Sequence, residues 1–208
     1  MYHKIQTIFK RDLKGKIIEG DYSLPEFKYL ANNIWEWSEK VDGTNIRVMF
    51  NGDNIEFGGK TDNAQIPATL YKRLQEMFEV EKFKEIFNEV DTVSENICLY
   101  GEGYGAKIQK GGGNYIKDGV GFVLFDVKVN DVFLERSNVE DIAKKLNIKI
   151  VPIIGEGNLN EMVEKTRKGF KSQWGDFIAE GIVARPKTEL RTRCGDRIIT
   201  KIKYKDFL

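Results

Sequence analysis

The sequence predicts an α+β fold, with largely antiparallel sheets and helices flanking them, on three observations. Short runs rich in Val, Ile, Phe, Tyr and Trp recur along the 208 residues and read as strands. Helical patterns interrupt them irregularly, without the steady strand–helix alternation that a doubly wound parallel sheet needs. Hydrophobic residues make up 41% and charged residues 31%, the balance of a globular chain able to bury a sizeable core.

The elements follow in chain order. Residues 35–39 and 46–50 read as strands, and Asn51-Gly52-Asp53-Asn54 is a turn sequence that favours a hairpin. From 67 to about 89, Leu70, Leu74, Met77 and Phe78, then Phe83, Ile86 and Phe87, recur at helical spacing, with a break expected near Val80. Residues 96–100 and 121–129 are apolar and β-rich. Ser137 with Glu140 has the spacing of a capping box for a helix to about Leu146, and 148–154 reads as a buried strand. Asn158 with Glu161 is a second cap signal, for a helix to about Lys168. Residues 177–185 and 197–204 close the chain as strands. No repeat, low-complexity tract or Pro/Ser-rich linker divides the chain, so one domain over 1–208 is expected.

Composition narrows the chemistry. His3 is the only histidine, which rules out a His-rich zinc site and leaves one residue for any His-based triad. Cys98 and Cys194 lie far apart with no CxxC partner and read as ordinary thiols in a reducing compartment. No apolar run approaches the roughly 20 residues of a membrane span. The first ten residues are polar and mixed, unlike a signal peptide, so a cytoplasmic protein without a membrane partner is expected. Catalysis here would rest on lysines, carboxylates and a hard metal ion. Net charge is +1, but from Gly181 onward eight basic residues face three acidic ones, while 75–95 leans acidic. A basic segment on a near-neutral chain fits a phosphate-rich ligand held on one face; charge alone favours a solvated hairpin.

Glu39-Lys40-Val41-Asp42-Gly43-Thr44-Asn45 lies between two predicted strands. Lys40 sits where a strand gives way to a Gly-containing turn, a place that can present an amine at the floor of a pocket. An attacking lysine must be neutral; its reference pKa is about 10.4, so neighbouring cations would have to lower it. Taken alone, the four residues Lys40 to Gly43 equally describe a surface turn.

This stretch resembles motif I of the covalent nucleotidyltransferases: DNA ligases, RNA ligases and mRNA capping enzymes. Its Gly-Thr-Asn ending is most similar to the ATP-dependent RNA ligase 2 type. The resemblance implies the adenylyltransferase fold of ligases, with Lys40 as the nucleophile that forms lysyl-AMP and Glu39 and Asn45 among the nucleotide-binding residues. Phe57-Gly58-Gly59-Lys60-Thr61 resembles a segment whose basic residue contacts nucleotide and nucleic-acid phosphate; here it is Lys60, where the RNA ligase 2 pattern prefers arginine, and lysine lacks the bidentate fork. Leu99-Tyr100-Gly101-Glu102-Gly103 is similar to motif III, which implies that Glu102 bonds the ribose. Residues 121–127, with Phe125-Asp126, resemble motif IIIa, which implies that Phe125 stacks on the purine. Ala179-Glu180-Gly181-Ile182-Val183 resembles motif IV, which implies that Glu180 holds a divalent ion, Mg2+ or Mn2+, often through water. Ile199-Thr200-Lys201-Ile202-Lys203 resembles motif V, which implies that Lys201 and Lys203 reach the nucleotide phosphates.

Each motif alone has an ordinary explanation: Glu102 and Glu180 as exposed strand residues, Phe125 as core, the two lysines as one solvated strand face. The ordering of six along 39–203 does not. The resemblance implies an ATP-dependent RNA ligase whose partner is RNA with 5′-phosphate and 3′-hydroxyl ends. The alternatives are a DNA ligase, a GTP-using capping-type enzyme, or an RNA-binding module of the same fold without the chemistry.

Two features stand outside the motifs. Residues 104–115 form a Gly-rich loop with Lys107 and Lys110 among tyrosines, read either as RNA contact or as a loose connection; it has no P-loop pattern. With Arg185, Arg191 and Arg193 of the basic tail, these lysines are the candidate RNA-binding residues. The chain stops five residues after Lys203, where many related ligases continue, so no C-terminal OB-fold or other appended domain is expected, which leaves a minimal ligase, a ligase that needs a protein partner, or an isolated catalytic domain.

Overall fold

The computed structural model describes residues 2–88 and 96–208. The far end of the predicted 67–89 helix and of the acidic stretch 75–95 lie outside the described residues.

The chain opens with β1 (Gln6–Thr7), β2 (Phe9–Arg11), β3 (Ile17–Tyr22) and the single-turn helix α1 (Pro25–Tyr29). β4 (Trp35–Lys40), β5 (Thr44–Phe50) and β6 (Ile55–Gly58) precede helices α2 (Ala68–Met77) and α3 (Val80–Ile86). Next come β7 (Ile97–Gly105), the short α4 (Gly112–Tyr115), β8 (Val120–Val129), β9 (Val132–Phe133) and α5 (Arg136–Leu146). β10 (Lys149–Ile150), β11 (Ile153–Gly157), α6 (Leu159–Lys168), β12 (Gly181–Pro186), β13 (Thr200–Lys203) and a 3-10 turn at Tyr204–Phe207 complete it. The α+β class with largely antiparallel sheets stands: among the named pairs only β1–β13 and β8–β10 are parallel.

Two compact units divide the chain. The first comprises Tyr2 and Asp42–Val151. Its sheet runs β10-β8-β7-β5-β6, with β9 on β8. The two-residue alternation of β5 sends Ile46, Val48 and Phe50 into a core with Leu70, Leu74, Phe83, Leu99, Leu124, Val139 and Ile142. Asn45, Arg47 and Met49 take the opposite face. The predicted helix break falls at Phe78, whose extended backbone (φ −118°, ψ 113°) ends α2 while its ring packs 5.4 Å from that of Phe122.

The second unit comprises His3–Val41 and Pro152–Leu208, with sheet order β1-β13-β12-β4-β11. Trp35, Trp37, Ile182, Ala184 and Ile202 bury one face of this sheet against Phe27 of α1 and Leu159, Met162 and Val163 of α6. The α6 capping box forms as expected: Asn158 Oδ1 accepts from Glu161 N at 2.9 Å, and Glu161 Oε2 accepts from Asn158 N at 2.8 Å.

Three expectations need correction. Residues 148–154 are not one strand. Val151 N donates to Leu124 O, continuing β10 in the first unit, and Pro152, which has no N–H, opens the second by accepting from Glu39 N. The Ser137 capping box does not form. The N-cap is Glu135, and Glu140 is taken by Arg136 at 2.7 Å, whose guanidinium also donates to Val151 O, so the helix starts two residues earlier. The closing strands are shorter than expected, Gly181–Pro186 and Thr200–Lys203. Among the described residues no helix is long and apolar enough to cross a membrane, and both cysteines are free thiols.

Gly181 is the close-packed point of the second sheet: a Cβ there would stand 2.1 Å from Ile202 O and 2.8 Å from Lys203 Cα. Gly181→Ala should therefore force β12 from β13 and lower stability by about 1–3 kcal/mol. A urea midpoint equal to wild type would contradict that packing.

Candidate active site

The strand register of the second unit assembles one candidate centre. β12 lies between β4 and β13, and Gly181 is paired with Lys40 on one side and Lys203 on the other. The next row on the same face is Ser38, Val183 and Lys201. Glu180 precedes Gly181, and its carbonyl accepts from Tyr204 N at 2.9 Å, which fixes the strand entry. Its carboxylate is divided between two ammonium groups: Lys40 Nζ donates to Oε2 at 2.7 Å and Lys203 Nζ to Oε1 at 2.6 Å. All three side chains are mostly shielded, with 12–25% of their surface exposed, so the pairing is stronger than at an open surface. Lys40, Glu180 and Lys203, distant in sequence, thus meet through strand pairing.

Glu39 faces the other way. It is 1% exposed; Oε1 accepts from Ser172 Oγ at 2.5 Å and Oε2 from Gln173 N at 2.8 Å. Ser172 Oγ in turn accepts from Trp174 N, so the Glu39 carboxylate anchors the loop after α6. Burial pushes its carboxyl above the usual range, partly offset by the Gln173 and Ser172 hydrogen bonds.

The first unit carries the other predicted residues. Asn45 and Glu102 are directly paired on β5 and β7 and share the face opposite the core. Asn45 Oδ1 is buried and accepts no hydrogen bond. Gly43 lies beneath them: a Cβ would stand 2.2 Å from Gly103 O and 2.8 Å from Glu102 Cγ. Phe125 is the extra residue of a β-bulge, since Tyr100 pairs with Asp126 and Gly101 with Leu124. The bulge turns Phe125 out of the core, edge-on to Tyr2 with ring centroids 5.1 Å apart. Tyr2 also donates its hydroxyl to the buried Asp126. Lys60 is exposed on the loop after β6.

That loop is held by a residue the sequence reading passed over. Arg47, 6% exposed, donates from Nε to Gly59 O and from Nη2 to Asp62 Oδ1, both at 2.8 Å, gripping Lys60 from either side. Gly58 leaves room for it, since a Cβ there would stand 2.8 Å from the guanidinium. An arginine alternating with Ile46 and Val48 was the available signal. Ser172 and Gln173 gave none.

Residues 33–204 match the model of the RNA ligase family. The chain belongs to that family. Among solved structures this RNA ligase family member is similar to the Naegleria gruberi RNA ligase with pyrophosphate, at TM-score 0.63 and 20% identity, covering 100% of this chain and 63% of that one. A lysine-to-alanine variant of the Naegleria enzyme with ATP and Mn matches at TM-score 0.62 and 19% identity over 99% and 64% of the two chains. A form with AMP and Mn matches at 0.62 and 19% over 96% and 61%. These likenesses support the ligase adenylyltransferase fold, and the chain spans less than two thirds of the length of each of these proteins. A comparison with curated proteins gave no match.

The candidate RNA-binding residues of this family member fall into two groups. Lys107 and Lys110 are exposed on the Gly-rich loop of the first unit. Arg185 lies on β12 of the second, followed by a hairpin in which Arg191 pairs with Glu189 at 3.2 Å and Arg193 is exposed at the tip.

The raised Glu39 carboxyl has a pH signature. The folded state favours the neutral form, so this contribution is full below the ordinary carboxylate range and is lost as pH rises through the folded value. Glu39→Gln keeps the shape without the charge. The variant's stability relative to wild type should rise with pH above about 4.5 and then level off. Urea midpoints of both proteins from pH 4 to 8 check this, and a flat difference would exclude it.

Proposed function

We propose that the protein is an ATP-dependent RNA ligase in which Lys40 carries AMP as a covalent phosphoramide and passes it to an RNA 5′-phosphate that is then joined to a 3′-hydroxyl. The observation that carries this reading is the Lys40–Glu180–Lys203 centre, in a chain of the RNA ligase family. The Naegleria structures that contain ATP, AMP or pyrophosphate with this fold support ATP as the donor.

The chemistry asks for positioning and charge more than for acid–base groups. Lys40 Nζ forms a bond to the α-phosphorus of ATP as the bond to the bridging oxygen breaks and pyrophosphate leaves. The Lys40 ammonium gives one proton to Glu180, to which Nζ already donates, before the attack and so frees its lone pair; a second proton leaves to solvent as the phosphoramide forms. Lys203, and Lys201 one row along the same face, offset negative charge on the phosphates. In the later steps the RNA 5′-phosphate oxygen takes AMP from Lys40, and the 3′-hydroxyl displaces AMP to leave a phosphodiester. On the first unit, Asn45 Oδ1, Glu102, Lys60 and Phe125 supply a buried acceptor, a carboxylate, a cation and an aromatic ring, which suit a nucleotide.

A divalent ion fits this donor set. Among the described residues no group of three or more His, Cys, Asp or Glu side chains is placed to hold a metal. Mg2+ or Mn2+ bound largely by water and substrate phosphate needs only one or two carboxylates, and Glu180 is the one at the centre. Such an ion, when bound, would stabilise charge on the phosphates and the leaving group.

Incubation with α-labelled ATP and Mg2+, read on a denaturing gel, should label wild-type protein and leave Lys40→Ala unlabelled. Lys203→Ala should slow labelling about 100-fold, the scale of one lost electrostatic donor. Wild-type protein that takes no label would overturn the reading. Preference for GTP, or equal sealing of matched DNA nicks, would move it to a capping-type enzyme or a DNA ligase.

A further inference from the structure

The Gly-rich loop is a folded element with a defined attachment. β7 ends at Gly105 in a left-handed conformation (φ +118°). The chain then doubles back so closely that a Cβ at Gly112 would stand 1.8 Å from Gly105 O, which explains one of the three consecutive glycines. Hydrogen bonds from Ala106 N to Gly119 O, Ile108 N to Gly105 O, Gly112 N to Gln109 O and Ile116 N to Gly112 O close the loop internally. The Tyr115 ring packs against that of Tyr104 with centroids 5.8 Å apart.

Two side chains of this loop reach the motif I turn. Asp42 N donates to Tyr115 Oη at 3.0 Å, and Gln109 Nε2 donates to Gly43 O at 3.0 Å. The backbone of Asp42–Gly43, two and three residues beyond Lys40, is therefore pinned from one donor and one acceptor. Lys107, Lys110 and Lys117 of the same loop project into solvent. Lys107 does so from a left-handed backbone (φ +63°), a conformation that a side chain disfavours.

We infer that residues 105–116 are a strap: RNA backbone phosphate binds at Lys107 and Lys110, and Gln109 and Tyr115 act as positioning residues that transmit its placement to the Asp42–Gly43 backbone. The inference rests on the ligase reading above and adds how polynucleotide binding is tied to the motif I turn. Phosphate contacts set affinity through charge. The two side-chain hydrogen bonds set geometry, and misplacement of that kind costs rate more than binding. The strap thus separates two functions on neighbouring residues, lysines for holding RNA and Gln109 with Tyr115 for ordering the turn.

The test is single-turnover transfer of AMP from labelled protein to 5′-phosphorylated RNA over a range of RNA concentrations. Lys107→Ala with Lys110→Ala should raise the half-saturating RNA concentration about fivefold or more, and that loss should shrink as salt rises. Tyr115→Phe and Gln109→Ala should lower the maximal rate constant about tenfold while half-saturation stays near wild type. A purely structural loss would lower the amplitude of the transfer, not its rate constant. The same split should appear in sealing of ready-made 5′-adenylated RNA, which bypasses self-labelling. Maximal rate constants equal to wild type in both positioning variants would overturn the strap while leaving the ligase reading in place. Wild-type protein that never acquires label would overturn the ligase reading instead, and the strap with it.

Discussion

The candidate centre depends on one carboxylate shared by two ammonium groups. Glu180 can stand between Lys40 and Lys203 only because β4, β12 and β13 are adjacent and in one register, with Gly181 as the common partner. A one-residue slip of either outer strand would send its lysine to the packed face. That face is filled by Trp35, Trp37, Ile182 and Ile202, so burial of the core and placement of the Lys40 amine are enforced by the same pairing. A largely shielded carboxylate that lost one partner would be disfavoured. The arrangement therefore resists small displacements.

Glycines do comparable work at two places. Gly181 lets β12 close on Ile202 and Lys203, and Gly43 lets the motif I turn close on Glu102 and Gly103. In each case the glycine of one motif marks where the backbone of another passes too near for a side chain. That gives a physical meaning to the pairing of motif I with motif III and of motif IV with motif V.

Much of this was legible because it follows from period and local chemistry. Strands β4, β5 and β8, the α6 cap and the α2–α3 break each have their determinants within a few residues. What sequence hid was non-local. Residues 148–154 looked like one apolar strand, and nothing in their pattern told that Val151 and Pro152 would pair in different sheets. Ser137 offered a cap that Arg136 pre-empted by reaching Glu140 and Val151. The inward turn of Glu39 depends on Ser172 and Gln173, more than 130 positions away along the chain. The sequence singled out Glu39 and Lys60 without the neighbours that hold the one and the loop of the other.

Arg47 shows how those holding interactions divide the labour of cations. The RNA ligase 2 pattern that this sequence resembles prefers arginine where this chain has Lys60, and a lysine there is a point charge on a flexible stem. A guanidinium is present nonetheless, on the adjacent strand β5 opposite Gly58, with its fork spent on Gly59 O and Asp62. A planar, always-charged group suits that buried structural task, because its several donors can satisfy a carbonyl and a carboxylate at once. The exposed loop then needs only a charge at its crest. Shape is supplied from below by Arg47 and charge from above by Lys60, so the loop does not need one residue to provide both.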